Sequence, residues 1–128
     1  MSYKTRDSTE RDLKYSENEH DFLILLSGSE KKVLEFGPAP EYVSKALKER
    51  HCHVTSIEKN AILAKQAKQF VDRTIVADIE TTNLSEILGY EKYDVILLSN
   101  FLERLKEPLQ LLKKLSKFLS KNGHIVCS

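Results

Sequence analysis

Three residues in the segment 32–60 are suited to bind a ligand by their types and spacing: Glu35, Gly37 and Glu58. Gly37 can adopt a positive φ and lets a ligand approach the main chain closely. The Glu58 carboxylate has two acceptor oxygens, which can take both hydroxyls of a ribose. It lies 23 positions after Glu35, close to the spacing of about 20 at which an acid holds a ribose in dinucleotide-binding units. Each residue alone is explained by a turn or a strand end, but together they indicate a ligand site.

The surrounding pattern predicts the elements that position these residues. A short apolar run over 33–36 ends at Gly37, and a second β-rich run over 54–57 ends at Glu58. Between them, residues 41–50 carry apolar side chains at helical spacing. Strand, tight loop, helix and strand form the βαβ unit of a doubly wound α/β domain. Such sheets bind ligands at the carboxyl ends of their strands, where the loop after Gly37 lies.

The loop sequence narrows the choice of ligand. A dinucleotide fingerprint, G-x-G-x-x-G, would have glycine at three positions that hold Gly37, Ala39 and Tyr42 here. Tyr42 is bulky where close helix–strand packing demands glycine, so a nicotinamide or flavin site is disfavoured. The sequence contains no G-x-x-x-x-G-K-[ST], which excludes a P-loop.

The rest of the chain continues the α/β alternation. A short strand over 74–77 precedes Asp78, and the nearly continuous apolar run 93–100 predicts a central parallel strand buried on both faces. A helix over 60–70, capped by Asn60, is predicted before the strand over 74–77. A helix over 109–119, a turn at Asn122-Gly123 and a fifth strand over 124–127 complete the pattern. The predicted apolar side of the second helix consists of Ile62, Leu63, Ala67 and Phe70.

The motifs resemble those of class I S-adenosylmethionine-dependent methyltransferases. Glu35, Gly37 and Ala39 match the first motif of that family, E/D-x-G-x-G-x-G, in which alanine often replaces the middle glycine. The run 93–96, Y-D-V-I, resembles the family's fourth strand. The run 102–108, L-E-R-L-K-E-P, resembles the L-E-H-L-x-x-P signature of a subgroup that methylates small molecules. The resemblance covers about residues 22–128.

This resemblance implies a Rossmann-like, doubly wound parallel α/β sheet of order 3-2-1-4-5 with helices on both faces. It implies five of the family's seven strands, without the last two. The implied cofactor is S-adenosylmethionine, and the implied product is S-adenosylhomocysteine. The methionine end is assigned to Glu35, Gly37 and Ala39, the ribose to Glu58, the adenine to Asp78 and Ile79, and the methyl side to Ser99 and Asn100. The implied site also includes Phe36, Pro38 and Lys59, while the catalytic residues stay unknown.

Arg104 stands where the subgroup has histidine, and arginine stays protonated and cannot accept a proton. Two further departures from the family pattern favour an alternative, a methyltransferase-like binding or scaffold module without turnover. Glu41 replaces the third glycine, and its carboxylate would repel that of the cofactor unless it points away. Pro38 and Pro40 remove two N–H donors from the loop.

The amino-acid composition restricts the classes of partner and the cellular compartment that are expected for this chain. The 128 residues include 20 basic and 19 acidic ones, so a net charge of +1 disfavours nucleic acid as a partner. No apolar run is long enough to span a membrane. The two cysteines do not make a disulfide framework, so the cytoplasm, where thiols stay reduced, is the expected compartment. No metal site is expected. Residues 1–20 form a charged arm and 21–128 one domain. The acceptor is expected to be a small molecule, and a homodimer or other partner is expected to cover the fifth strand's edge.

Overall fold

Strands and helices alternate along the chain in the computed structural model, which describes residues 24, 26–37, 41–98 and 102–127. The strands are β1 (Lys32–Phe36), β2 (His53–Glu58), β3 (Arg73–Val76), β4 (Tyr93–Leu98) and β5 (Leu119–Cys127). The helices are α1 (Glu41–Glu49), α2 (Ala61–Ala67), α3 (Leu84–Leu88) and α4 (Pro108–Ser116), with a 3₁₀ turn at Leu102–Arg104. The proposed arm, 1–20, lies outside the described residues.

The five strands form one parallel sheet in the order β3-β2-β1-β4-β5, which confirms the predicted topology. β1 is the central strand, with Val33 opposite both Val54 of β2 and Val95 of β4. Parallel pairing brings the carboxyl ends of β1, β2 and β3 to the same end of the sheet, which is called the carboxyl edge below. The loops that carry the candidate ligand residues therefore meet at that edge.

Helices cover both faces of the sheet, as predicted. On one face, Leu34 and Phe36 of β1 pack in a core with residues of α3 and α4 such as Leu88 and Leu115. On the other face, Val33 packs with residues of α1. Successive strand residues point to opposite faces, so burial on both sides favours apolar runs such as 95–98 in β4. In β1 the apolar run 33–36 is interrupted by the buried Glu35. Across the described ranges, no helix has the length and apolar character needed to cross a membrane.

Asp94 connects three strands near their amino ends, at the end of the sheet opposite the candidate site. Its Oδ2 accepts a hydrogen bond from the Lys32 N–H at 2.8 Å, and its Oδ1 accepts one from the Ser120 hydroxyl at 2.9 Å. These bonds connect β4 to the start of β1 and to β5. The backbone bond from Lys32 is the largest effect on the Asp94 carboxyl and holds its pKa below the usual value.

The predicted apolar side of α2 is wrong. Ile62 is 70% exposed and Leu63 is 37% exposed, whereas Ala64 is the buried residue of this helix. The helix is short and ends at Ala67, so only its small Ala64 fits closely against the sheet. Leu63, Ala67 and Phe70 instead border a cavity beside α1. Periodicity located the helix but not the side that it buries, because a short helix has few positions to define a face.

The predicted boundary between the last helix and strand is also wrong. α4 ends at Ser116, and β5 begins at Leu119 rather than at residue 124. Asn122-Gly123 lies within β5, where the pairing with β4 shifts register between Tyr93 and Val95. A Cβ at Gly123 would lie 2.8 Å from the Tyr93 carbonyl oxygen. This glycine therefore permits close approach of two backbones at a strand irregularity, rather than ending a helix.

We predict that Asp94→Ala lowers the free energy of unfolding by about 1–3 kcal/mol at neutral pH, because it leaves the Lys32 N–H without its carboxylate acceptor. Since the pKa of Asp94 is lowered in the folded state, its contribution to the free energy of unfolding is present above about pH 3.8 and is lost as the pH falls further. Urea unfolding at pH 7 and pH 3 measures both effects. Glu49→Ala, which removes an exposed acid at the end of α1, is the control. An equal loss of stability in both variants would contradict the assigned role.

Candidate functional site

Gly37 ends β1 in a conformation that favours glycine. Its φ is +80°, in the left-handed region, where a side chain would introduce strain. The Gly37 N–H donates to the Ile57 carbonyl at 3.1 Å, so the turn is anchored to the neighbouring strand. The chain thus leaves the sheet at a fixed point, directly beside the end of β2.

Glu58, the last residue of β2, is buried at the same edge with 8% of its surface exposed. Its Oε1 accepts a hydrogen bond from the Asn60 N–H at 3.0 Å. The Asn60 side chain caps α2 by accepting from the backbone N–H groups of Ile62 and Leu63, as predicted. The start of α2 and the Glu58 carboxylate therefore hold each other in place.

Asp78 and Ile79 occupy the turn that follows β3. The Asp78 Oδ1 accepts from the Glu80 N–H at 2.9 Å, and its backbone carbonyl accepts from the N–H groups of Thr81 and Thr82. The side chain thus forms a local turn. Ile79 is 8% exposed and belongs to the core beneath α3 and α4. The turn is consequently fixed both by hydrogen bonds and by packing.

A cavity of about 100 Å³ lies between these three strand ends. Of the predicted site residues, it is lined by Phe36, Gly37, Glu58, Lys59, Asp78 and Ile79. An adjoining cavity of about 400 Å³ shares Asp78, Ile79, Glu80 and Leu105 and extends along α4. The first cavity combines apolar side chains such as Ile57 and Ile79 with the carboxylates of Glu58 and Asp78, a lining suited to an aromatic base and a sugar.

Five residues of the first cavity were not assigned to a ligand site from the sequence: Ile57, Ala77, Glu80, Arg104 and Leu105. Ile57, Ala77 and Glu80 flank residues that were assigned, so adjacency along the chain was the available signal. Arg104 and Leu105 come from the 3₁₀ turn and the residue after it, which are distant in sequence from β2 and β3. Their proximity depends on how this turn packs, and local pattern carries no information on that.

Glu35 lines a separate cavity on the opposite face of β1. This cavity, which has a volume of about 150 Å³ and is called the second cavity below, is bordered by Glu35, Gly37, Glu41, Ser56, Glu58, Leu63, Gln66, Ala67 and Phe70. Gly37 and Glu58 border both cavities, so they form the wall between them. The structure thus brings together six of the predicted site residues in one cavity and sets Glu35 beside them across the sheet. Pro38, Ala39, Ser99 and Asn100 lie outside the described residues.

The Glu35 carboxyl is the most strongly perturbed group at this edge. It is 2% exposed, and this burial raises its pKa to about 7, with smaller opposing effects from the Ser56 and Ser44 hydroxyls. The Ser44 hydroxyl donates to Oε1 at 3.5 Å. Within the described part of the chain, Oε2 has no hydrogen-bond partner of acceptable geometry. Glu35 is therefore partly protonated at neutral pH and is receptive to a positive charge.

Metal chemistry finds no support in the side chains whose positions are described. Among them, no group of three or more histidine, cysteine, aspartate or glutamate side chains is placed to hold an ion. Glu35, Glu41 and Glu58 border the same cavity, but Glu41 forms an ion pair with Lys45 at 3.3 Å.

Comparison with known families gives the class of protein. The sequence model of a family described as a methyltransferase domain matches residues 9–128, which is nearly the whole chain. The chain therefore belongs to the methyltransferase domain family, and the resemblance inferred from its motifs is confirmed. No curated protein matches the chain.

Solved structures of the same fold include several methyltransferases. Coclaurine N-methyltransferase, solved with N-methylheliamine and S-adenosylhomocysteine, is 23% identical with a TM-score of 0.67, over 98% of this chain and 38% of that one. NodS, an N-methyltransferase from Bradyrhizobium japonicum, is 22% identical with a TM-score of 0.67, over 94% and 68%. A TehB-like methyltransferase from Corynebacterium glutamicum is 19% identical with a TM-score of 0.68, over 90% and 64%. At these identities the likeness establishes the fold, and the chain spans 38% of the length of the first.

We predict that Glu35→Gln removes most of the pH dependence of stability between pH 4.5 and 7. Glu35 keeps its proton up to about pH 7 in the folded state and up to about pH 4.5 in the unfolded state. Its contribution to the free energy of unfolding is therefore complete below pH 4.5 and is lost as the pH rises to 7. Above pH 7 the free energy of unfolding is lower by at most about 3 kcal/mol for this reason. Urea unfolding at pH 5, 6, 7 and 8 measures it.

Glu41→Gln is the matched control, because Glu41 borders the same cavity but is exposed. We expect its pH profile to follow that of the wild type. A Glu35→Gln profile parallel to the wild type would instead mean that Glu35 ionises normally in the folded protein.

Proposed function

We propose that the chain binds S-adenosylmethionine and takes part in transfer of its methyl group to a small-molecule acceptor. The observation that carries this proposal is the shared edge at which the Gly37 turn, the Glu58 carboxylate and the Asp78–Ile79 turn line one cavity. Membership of the methyltransferase domain family supports the reaction type.

The residues fit an adenosyl group in type and position. The buried Glu58 carboxylate can accept hydrogen bonds from both ribose hydroxyls. Each of its two oxygens has two lone pairs, and the Asn60 N–H occupies only one of these four. Ile57 and Ile79 supply apolar surface for the flat adenine, and Asp78 lies beside it as an acceptor for an amino group. Lys59 and Phe36 border the same cavity and complete its walls.

The methionine end is assigned to the Gly37 turn and to Glu35 beneath it. A ligand that carries an ammonium group and a sulfonium is favoured next to a buried carboxyl with an unsatisfied oxygen. This observation supports the fit of Glu35. We extend the proposal to Pro38, Ala39, Ser99 and Asn100, whose positions lie outside the described residues, on the motif alone.

When bound, S-adenosylmethionine supplies a methyl carbon that is activated by its positively charged sulfur and is attacked in line by the acceptor. The chain's own residues then have to hold the donor and to exclude water. Among the described residues that line the cavity, none is needed as a covalent nucleophile. Arg104 lines the cavity but stays protonated, so we propose that it contributes charge and surface rather than proton transfer.

The ion pair of Glu41 weighs against the alternative of an inactive scaffold. Glu41 borders the cavity that Glu35 lines, where the methionine end is assigned, but its carboxylate is paired with Lys45 at 3.3 Å. Its charge is partly offset there, so the repulsion that this departure from the family pattern suggested is reduced. Turnover of radiolabelled S-adenosylmethionine distinguishes the enzyme from a module that only binds.

The acceptor and the partners are assigned by analogy. A structural relative was solved with N-methylheliamine, and this supports a small molecule as the acceptor. β5 is a long edge strand, and among the described strands only β4 pairs with it, so we propose that a second copy or another chain covers it. Cys52 and Cys127 are free thiols, which supports the cytoplasm as the compartment.

We predict that S-adenosylhomocysteine raises the melting temperature of the wild type and that Glu58→Ala weakens its binding about 10–100-fold, since hydrogen bonds to a charged group contribute about 1.5–3 kcal/mol. Thermal shift and titration calorimetry at pH 8 give the two values. Glu86→Ala, which removes an exposed acid on α3, is the control and should bind like the wild type.

Glu58→Gln adds a second comparison, because it preserves the size of the side chain and an acceptor oxygen. We expect its affinity to lie between those of the wild type and the alanine variant. A wild-type protein that shows no shift at millimolar S-adenosylhomocysteine would overturn the proposed function. Binding that is equal in Glu58→Ala and Glu86→Ala would instead remove Glu58 from the site.

A further inference from the structure

Two buried serines flank Glu35 from different elements. Ser44 lies on the buried side of α1 and is 3% exposed, and Ser56 lies on β2 and is also 3% exposed. The Ser44 hydroxyl donates to the Glu35 Oε1 at 3.5 Å, and Ser56 is paired with Glu35 in the β1–β2 register. A hydroxyl buried in an otherwise apolar layer is costly unless it has a partner. The carboxyl of Glu35 therefore explains why two serines occupy positions that face the core.

The donors available to Glu35 are few. Its Oε2 has no partner among the described residues. The loop that follows Gly37 contains Pro38, Ala39 and Pro40, whose side chains carry no donors, and the two prolines also lack a backbone N–H. Ala39 can thus supply one N–H at most. The serine hydroxyls are consequently a large part of what can hold a charged carboxylate at this point.

The charges that face Glu35 make this support more important. Glu58 on β2 and Glu41 on α1 border the same cavity, and both disfavour a second negative charge. Lys45 of α1 is engaged at 3.3 Å by Glu41, and its Nζ lies 5.4 Å from the centre of the Phe70 ring. From α2, the cavity receives Gln66 and apolar side chains but no charged group. Ionisation of Glu35 therefore depends on hydroxyl donors and on any cation that a ligand brings.

We propose that Ser44 and Ser56 are positioning residues that hold the Glu35 carboxyl beneath the Gly37 turn and let it ionise when a cationic ligand group arrives. The ligand part of this inference rests on the proposed function, because the methionine end of the cofactor carries that cation. Binding of a cation next to Glu35 favours its ionised form, so ligand binding and proton release are linked. Loss of either hydroxyl makes ionisation harder and weakens binding at the pH values where Glu35 is still protonated.

The first experiment follows the Glu35 carboxyl in the ligand-free protein. Carbon NMR of protein labelled at glutamate side-chain carboxyls reports its titration, and the signal that disappears in Glu35→Gln assigns it. The wild type should titrate near pH 7. We expect a clearly higher midpoint in Ser44→Ala and in Ser56→Ala, and an unchanged midpoint in Ser44→Thr, which keeps a hydroxyl. Ser85→Ala, on the exposed side of α3, is the control. Midpoints that do not move in either alanine variant would overturn the proposal.

The second experiment measures the affinity for S-adenosylhomocysteine by calorimetry from pH 6 to pH 9. If the midpoint rises by one unit, affinity falls about tenfold at pH values below both midpoints and recovers above them. We expect this pattern in Ser44→Ala and its rescue in Ser44→Thr. A merely structural role would lower affinity equally at every pH, and that result would overturn the proposal.

The two experiments separate the two claims. If the wild type does not bind S-adenosylhomocysteine at any pH, the proposed function fails. The titration of the ligand-free protein then still decides whether Ser44 and Ser56 control Glu35. If binding is normal in the wild type but the titration is insensitive to both serines, the positioning role fails and the proposed function stands.

Discussion

The candidate site depends on one constraint, the parallel pairing of β1 between β2 and β4. Val33 of β1 lies opposite Val54 and Val95, and from this register every later residue of the three strands is aligned. Because all strands run in the same direction, Gly37, Glu58 and the Asp78 turn leave the sheet at one edge. A chain with antiparallel pairing would send these residues to opposite ends. The hydrogen bond from the Gly37 N–H to the Ile57 carbonyl fixes the first turn to this frame.

The alternation of side chains along a strand divides the edge into two environments. Phe36 faces the core under α3 and α4, whereas Glu35, one residue earlier, faces α1. One cavity therefore has an apolar floor and accessible carboxylates, and the other contains a desolvated acid whose pKa is raised. Gly37 and Glu58 border both cavities. A ligand that spans the turn would meet apolar side chains and charged groups on one side and the buried Glu35 carboxyl on the other.

The positions that sequence patterns located well are those at which one residue type is needed for a local reason. Gly37 is required by a positive φ, Asn60 by its capping role, and the apolar run of β4 by burial on both faces. The patterns failed where a residue had two explanations. Gly123 was taken to end a helix, but it lies inside β5 where another backbone comes close. Ile62 has helical spacing and is nevertheless exposed, because α2 is too short to bury a broad face.

The sequence by itself determined the order of strands and helices along the chain, the turn at Gly37 and the acids near the ends of β1 and β2, because hydrophobic period and backbone preference are local properties. Family membership agrees with this, because the family model matches residues 9–128 and so includes these positions. Only the tertiary structure decided that Arg104 and Leu105 join the cavity, that Glu41 turns to Lys45, and that Ser44 and Ser56 meet Glu35. These contacts join residues on different elements. Their geometry depends on packing distances and on desolvation, which exist only once the helices have closed over the sheet.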